Sequence, residues 1–302
     1  MLYSRPVTRS RVAVYSHSRL SSFEKCPLQY RYRYIDRIKR DTFGIEGFMG
    51  SRVHEAAEHA YKVKKEGRVA KVGELVNLYQ GNWQAEYTPA VRIVRKGLLA
   101  DDYRTQGEKF VRGFHARYAP FDDGETIGLE EKFEFALDPG GKYQVMGYID
   151  RLATREPGVF EVHDYKTSAN APSEGELRRD RQLTLYQMAV SQRYPEAREI
   201  RLIWHYLAKD LKVEQRRTEH EIAAHRRATI NLIDKVEAAR DYPARESALC
   251  RWCDYRDICP TQKGALLAEQ AADERARRKA DERRLATGGR PFTHAEQPRL
   301  IP

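Results

Sequence analysis

Apolar and polar positions along the chain follow two periods, and the order in which these alternate predicts the elements. From Ser18, the serines at 18, 21 and 22 precede an apolar pattern of helical period. This predicts a helix that carries Cys26 and runs toward Arg37. Gly50 to Lys65 predicts a second helix, with Val53, Ala57, Ala60 and Tyr61 on one face and His54 and Glu58 one turn apart on its border. Residues 72–87 and 97–118 predict two more, separated by Thr88-Pro89 and a basic stretch (Arg92, Arg95, Lys96). The period then changes. Segments 126–137, 143–152 and 159–167 are rich in β-branched and aromatic residues and predict strands, the last two joined by the turn signal Arg155-Glu156-Pro157-Gly158. Arg178 to Tyr194 predicts a helix, 200–207 and 211–218 a hairpin around Lys209-Asp210, and Glu219 to Arg240 a long helix. Residues 1–17 read as an irregular leader, and from Thr287 on the composition implies a disordered end. There is no internal repeat. Helices, then three strands, a helix and two strands make an α/β fold with one mixed sheet. The length of 302 residues suits one core domain with an inserted or appended helical part.

The predicted hairpin carries the densest candidate chemistry. Gly147-Tyr148-Ile149-Asp150-Arg151 and Val162-His163-Asp164-Tyr165-Lys166-Thr167 place two carboxylates and a lysine on adjacent strands. Alternation along a strand points Asp164 and Lys166 one way and His163 and Tyr165 the other. Asp150 lies a similar distance back from the turn, so it can sit across the ladder from Asp164. Two converging carboxylates can hold a hard cation such as Mg2+, and the lysine can steer a water or a phosphate beside it. That is the inventory for metal-assisted phosphodiester hydrolysis. An Asp-x-Lys run also reads as a charge pair on a surface strand, and the residues alone leave both readings open. His54, at the edge of its helix, is either a half-buried polar residue or a group reaching into a cleft.

Cysteine usage adds a second constellation. The chain has four: Cys26, followed by Pro27, and Cys250, Cys253 and Cys259 in a Cys-x2-Cys-x5-Cys run closed by Pro260. Four in 302 residues is too sparse for a disulfide-stapled secreted protein. No signal-peptide pattern and no run of 18 apolar residues is present, so the expectation is a cytoplasmic protein without a membrane segment. Clustered thiols in a reducing compartment bind metal more often than one another. Four thiolates suit tetrahedral Zn2+ or an iron–sulfur cluster, although the spacing fits neither of the commonest zinc-finger patterns.

Charge points to a polyanionic partner. Lys plus Arg number 54 against 44 Asp plus Glu, a net +10, which attracts nucleic acid and speeds its association. Part of the excess lies in Ala271 to Arg284, where mixed signs read as a solvated helix. The run Tyr30-Arg31-Tyr32-Arg33-Tyr34-Ile35-Asp36-Arg37 can stack bases and grip phosphates, or can be a helix whose tyrosines pack on the core. The basic first turn at Arg178, Arg179 and Arg181 can meet a phosphate backbone or simply be solvated, and Gln182 and Tyr186 share a face one turn apart.

Six segments, in order, resemble the PD-(D/E)XK nuclease superfamily, in particular its RecB-like exonucleases with a four-cysteine iron–sulfur cluster. They are Ser18 to Pro27 with Tyr30; Gly50-Ser51-Arg52-Val53-His54-Glu55; Gly147 to Arg151; Asp164-Tyr165-Lys166-Thr167; Gln182-Leu183-Thr184-Leu185-Tyr186; and Cys250, Cys253 and Cys259-Pro260. The chain is similar here to the CRISPR-associated four-cysteine exonucleases and the AddB nuclease domain. The resemblance implies a restriction-endonuclease-like mixed sheet flanked by helices, with a helical N-terminal part. It implies a nuclease domain over 18–260 with a helical elaboration at 68–125 and an iron–sulfur segment at 250–260, followed by a charged helix and tail at 261–302. His54, Asp150, Asp164 and the carbonyl of Tyr165 would bind Mg2+ or Mn2+. Lys166 would orient the attacking water and stabilise charge on the phosphate. Gln182 and Tyr186, with Arg178 and Arg181, would hold the DNA strand. Cys26, Cys250, Cys253 and Cys259 would hold a structural [4Fe–4S] cluster joining the N- and C-terminal regions, whose loss would unfold the DNA-binding parts first. Glu131 falls where related proteins often have an acidic residue. Ile149 replaces the proline of the superfamily name, and 68–125 is longer than in the smallest relatives.

The implied activity is a metal-dependent exonuclease on single-stranded DNA or DNA ends, in repair, recombination, phage replication or CRISPR spacer processing. No Gly-x4-Gly-Lys-Ser/Thr loop is present, so where unwinding is needed a helicase or CRISPR-adaptation partner would supply it. The other readings are a non-catalytic DNA-binding subunit of such an assembly and a zinc-stabilised nucleic-acid-binding protein.

Overall fold

The strand-forming runs assemble into one six-stranded mixed sheet in the computed structural model, which describes residues 12–286. In chain order the elements are β1 (Val14–Ser16), α1 (His17–Lys25), α2 (Pro27–Tyr30), a π-helical turn at Arg31–Ile35, β2 (Phe43–Gly44), α3 (Ile45–Lys65), α4 (Val72–Glu86), β3 (Val91–Arg92) and α5 (Ala100–Tyr118). There follow β4 (Glu125–Ala136), β5 (Gln144–Glu156), β6 (Val159–Lys166), α6 (Glu174–Arg178), α7 (Arg181–Arg193), β7 (Glu199–Tyr206), β8 (Leu211–Gln215), α8 (Glu219–Ala238), a 3-10 turn at Ala248–Trp252 and α9 (Lys263–Ala286). The chain divides into two compact units. The first comprises the residues up to Ser21, Glu58–Val69 and Tyr118–Ala239; the second comprises Ser22–Ala57, Ala70–Arg117 and the chain from Arg240 on.

The sheet lies in the first unit. β5 pairs antiparallel with β4 along one edge, while β1 (parallel) and β6 (antiparallel) share its other edge. β6 pairs parallel with β7, and β7 antiparallel with β8. A parallel pair needs a crossover, and α7 supplies it, packing on β4, β6 and β7. β6 is buried from Val159 to Tyr165, as a central strand covered on both faces must be. The α/β architecture with a mixed central sheet and flanking helices is as expected. Two boundaries differ for local reasons. The helix expected from Arg178 starts at Arg181, because Asp180 caps it by accepting from the N–H of Leu183 (2.9 Å) and α6 is a separate turn capped by Ser173. Residues 14–16, read as part of the leader, form β1 against Gln144–Met146. Residues 1–11 of the leader and the tail beyond Ala286 lie outside the described residues, and His17 opens α1.

The second unit is mainly helical. The single helix expected from Ser18 to Arg37 is broken at Cys26, whose backbone is extended (φ −156°, ψ 109°). Pro27 explains this, because its ring disfavours the α conformation in the preceding residue yet is well placed at the first position of the next helix. Tyr30 is buried, with Phe23 edge-on at 5.4 Å and Tyr242 stacked at 6.4 Å, so this member of the tyrosine–arginine run is core. α4 and α5 approach closely where Gly107 faces Tyr79; a Cβ there would lie 2.1 Å from the tyrosine oxygen. α9 carries the mixed-charge stretch and is tied by a bidentate Arg256–Glu269 pair (2.8 and 2.9 Å). Among the described residues, no helix is long and apolar enough to cross a membrane.

Beneath β5 and β6 in the first unit lies a polar core centred on Arg151, which is fully buried. Its guanidinium donates to Thr126 Oγ1 (2.8 Å), the Asp123 carboxylate (3.1 Å) and the carbonyls of Asp123 (3.3 Å) and Gly124 (3.2 Å). It lies 3.8 Å from the ring centre of Tyr61 and 3.3 Å from His163 Nε2. Removing one partner of a buried pair leaves the other groups desolvated and unpaired. Arg151→Ala should therefore cost about 3–5 kcal/mol of unfolding free energy. Urea denaturation would check this, and a loss below about 1 kcal/mol, the range of surface pairs, would contradict it.

Candidate active site

The antiparallel pairing of β5 with β6 ends at Arg151 opposite His163, and Asp150 and Asp164 are the next residues outward. Their carboxylates do not simply face each other. Asp150 turns to accept the backbone N–H of Tyr165 (2.8 Å) and stays half-buried, while Asp164 is almost fully buried. Lys166 follows Asp164 on the same face. Its ammonium lies 3.0 and 2.8 Å from the two Asp164 oxygens and donates to Gln182 Oε1 (3.0 Å) on α7. Gln182 in turn donates through Nε2 to the hydroxyl of Tyr186 (2.8 Å). The expected one-turn spacing of Gln182 and Tyr186 thus makes a chain of hydrogen bonds leading to Lys166. Gly147 leaves room for Tyr186: a Cβ there would sit 2.6 Å from the Phe133 ring and 3.1 Å from Tyr186.

Electrostatics fix the protonation states. Burial pulls the Lys166 pKa down, but the charge and hydrogen bond of Asp164, with Asp150 and Asp180 behind it, outweigh this and raise it above its ordinary value. With no ion at the carboxylates, Lys166 is therefore an ammonium at neutral pH that donates to Asp164 and Gln182. Burial, with Asp164 next, also pushes Tyr206 up to about 12, so its phenol stays neutral.

One acidic residue was not anticipated. Glu130 on β4 has left-handed backbone (φ 45°) within a strand, an arrangement costing roughly 1 kcal/mol for a residue other than glycine. It lies between Leu129, paired with Arg151, and Glu131, paired with Ile149, which sets it opposite Asp150. Carboxylate oxygens of Glu130 and Asp150 come within 4.8 Å of each other. Glu131, the acidic position singled out from sequence, instead pairs with Arg193 (2.5 Å). Hard oxygen donors at this separation suit a divalent cation such as Mg2+ or Mn2+.

The remaining candidates are placed as follows. His54 is half-buried on α3, in the second unit. Arg178 is exposed and pairs with Glu221 (3.1 Å) and Glu174 (3.4 Å), while Arg181 donates to Ser21 Oγ (3.1 Å). All four cysteines are free, half-buried thiols of the second unit. Cys26 Sγ accepts from the N–H of Arg245 (3.4 Å) and Cys250 Sγ from that of Ser247 (3.3 Å). Burial raises the Cys253 thiol, and the charges of Asp254, Cys26 and Cys259 raise it further. Soft sulfur donors that disfavour one another's ionisation in a half-buried pocket suit a cationic centre, whether zinc or iron–sulfur. The Cys253 loop is held by Asp254, which accepts from Arg33 (2.6 Å) and Arg92 (2.8 Å).

A sequence model of the PD-(D/E)XK nuclease superfamily matches residues 14–260. The Gene 69 protein of Mycobacterium phage D29 is 23% identical over 284 residues, covering 85% of this chain and 100% of that protein. Among solved structures, one named "Putative exonuclease" from Eubacterium rectale is similar at a TM-score of 0.49 and 12% identity, over 87% of this chain and 93% of that one.

The raised pKa of Lys166 has a signed consequence. A folded value above the unfolded one means that the pair's stabilisation is complete below the unfolded lysine pKa of about 10.4 and is lost as pH rises through the higher folded value. In denaturant titrations, the advantage of wild type over Lys166→Met should stay constant to about pH 9 and shrink beyond about pH 10.4. A gap that is the same at alkaline pH would show that Asp164 does not hold the ammonium.

Proposed function

The chain belongs to the PD-(D/E)XK nuclease superfamily, and on that premise we propose that it is a divalent-metal-dependent exonuclease acting on single-stranded DNA or DNA ends. The observation that carries this reading is the Lys166 ammonium held between Asp164 and Gln182, on the strand beside Asp150 (3.0 Å to each partner's oxygen). Asp150, Asp164 and Glu130 would supply carboxylate oxygens to Mg2+ or Mn2+, with the Tyr165 carbonyl and His54 as further ligands on the strength of the segments that resemble the family. When bound, the ion supplies Lewis-acid polarisation of the phosphodiester.

The chain's own groups do the rest. Lys166 donates to a non-bridging phosphate oxygen and to the incoming water, stabilising the negative charge that grows in the transition state. Gln182 fixes the lysine head, and Tyr186 fixes Gln182, so an ordered donor meets the phosphate without reorganisation. Tyr186 stays a neutral phenol, its pKa raised by burial and then by Asp164. Arg178 at the end of α6 and Arg181 at the start of α7 would be contacts for the strand's backbone. DNA as substrate is supported by the net charge of +10. A helicase or CRISPR-adaptation partner would supply unwinding.

Cys26, Cys250, Cys253 and Cys259 would hold a [4Fe–4S] cluster. Support comes from four soft donors, two backbone N–H···S bonds and the family resemblance. Anaerobically purified protein should be brown and contain iron and acid-labile sulfide in equal amounts. Stoichiometric zinc without sulfide would replace the cluster by a zinc site.

The function is tested with end-labelled single-stranded DNA and Mg2+ or Mn2+. Asp164→Ala and Lys166→Ala should each lower hydrolysis by about 100-fold or more while remaining folded. Glu130→Gln should raise the Mg2+ concentration needed for half-maximal rate by about 10–100-fold. An inactive, cluster-replete wild type that still binds DNA would instead make the chain a non-catalytic DNA-binding subunit.

A further inference from the structure

Exposed aromatic rings are costly to leave in water and, when clustered, mark a binding surface. Among the described residues, the exposed aromatic side chains are Phe43, Tyr87, Tyr148 and Trp252. Three of the four gather around one groove of the second unit. Phe43 and Trp252 line it together with Phe48. Phe48 lies 5.9 Å from both Phe43 and Tyr87, and Tyr87 stacks on Trp83 at 5.9 Å with planes 7° apart. The groove measures about 520 Å³, within the ~300–1,000 Å³ of clefts that bind small molecules.

The rings are held rather than loose. The Trp252 indole N–H donates to Glu46 Oε1 (3.4 Å), which also accepts from the hydroxyl of Tyr103 (3.2 Å). Phe48 is backed by the buried guanidinium of Arg52 at 5.2 Å. At the Glu46 end stands Arg95, its side chain 59% exposed and paired with that carboxylate at 3.8 Å, and Glu86, paired with Arg52, also lines the groove, so the rings rather than net charge are what the groove offers a strand. Fixed, exposed rings match single-stranded nucleic acid, whose bases stack on aromatic faces whatever their sequence.

We propose that this groove is a nucleobase-stacking site for single-stranded DNA, with Trp252 and Phe43 as its platforms. The inference rests on the nuclease reading for its choice of polymer. It gives the cysteine-bearing segment a second task, because Trp252 lies between Cys250 and Cys253 and presents its ring to the strand. Bases rather than phosphates carry the contact, so binding here is tolerant of sequence and depends on the rings.

Fluorescence tests this with the full cluster-bearing chain, anaerobically and with divalent metal chelated so that no strand is cut. The chain has three tryptophans, and Trp83 and Trp204 are buried, so quenching by a strand reports Trp252. An oligothymidine should quench the emission, and an abasic strand of equal length and charge should not. Read by the anisotropy of an end-labelled oligothymidine, Trp252→Leu and Phe43→Leu should each weaken binding by about tenfold. Phe43→Leu keeps the test valid should the Trp252 variant misfold. Equal quenching by the abasic strand, or unchanged affinity in both variants, would overturn the proposal. Absence of quenching by any strand would also overturn it and leave the groove to a protein partner. Hydrolysis is scored separately: a chain that stacks bases yet cuts nothing would sink the nuclease reading alone.

Discussion

The buried guanidinium of Arg151 is the constraint on which the site's geometry depends. Taking a cation out of water is expensive, and the cost is met only if every donor finds a partner in good geometry. Here the partners come from three places in the first unit: Asp123, Gly124 and Thr126 at the start of β4, Tyr61 on α3, and His163 on β6. Arg151 directly follows Asp150, and His163 directly precedes Asp164. One saturated side chain thus fixes, from behind, the two strand ends that carry the carboxylates. His163 has to be neutral to lie beside it, and burial, then Arg151 itself, holds its pKa well below the ordinary value. A neutral ring that accepts at Nε2 carries its proton on Nδ1. It then donates to His205 Nε2 (2.9 Å), whose other nitrogen meets the Tyr118 hydroxyl (2.5 Å).

The alternation of β6 separates this scaffold from the chemistry. His163 and Tyr165 point into the polar core, while Asp164 and Lys166 point toward α7 and Gln182. Each face solves a different problem of buried charge. On the scaffold face a cation is neutralised once and permanently by Asp123. On the other, Lys166 spans a carboxylate and an amide, a balance that a substrate phosphate can join without leaving an unpaired group. A neutral amide as the second partner matters here. A second carboxylate in place of Gln182 would bind the ammonium more tightly and leave it less to offer a developing negative charge.

Much of this was legible in the sequence, and the failures have physical causes. The hairpin bearing Asp150 and Asp164 followed from strand period and the Arg155–Gly158 turn signal. The Gln182–Tyr186 spacing followed from helix geometry. Glu130 did not follow, because a left-handed residue inside a strand leaves no mark in the alternation, and the family resemblance pointed to its neighbour Glu131. Asp180 was passed over as the cap of α7, although Asp at the start of an apolar helical run is a strong signal. The break at Cys26 was readable from Pro27, and the continuous helical period obscured it. Contacts such as Arg33 with Asp254, more than 200 residues apart in sequence, have no local signature at all.

The charge balance takes on a more specific meaning beside these contacts. A net +10 suggests a surface that grips phosphate with many loose cations, yet several arginines near the proposed functional elements already have anionic or polar partners. Arg178 meets Glu174 and Glu221, Arg181 meets Ser21, and Arg33 and Arg92 converge on Asp254. Paired arginines hold loops and helix ends in position and give up part of their affinity for phosphate to do so. The excess charge then acts chiefly over distance, raising the local concentration of a polyanion in a manner that salt screens. On the proposed reading, contact itself falls to directed groups: an ammonium already aligned by Asp164 and Gln182 at the candidate active site, and fixed aromatic faces in the second unit. If the chain is the exonuclease proposed above, it gains from this division, since weak, sequence-blind attraction would let a strand shift while a few ordered donors decide where it is cut.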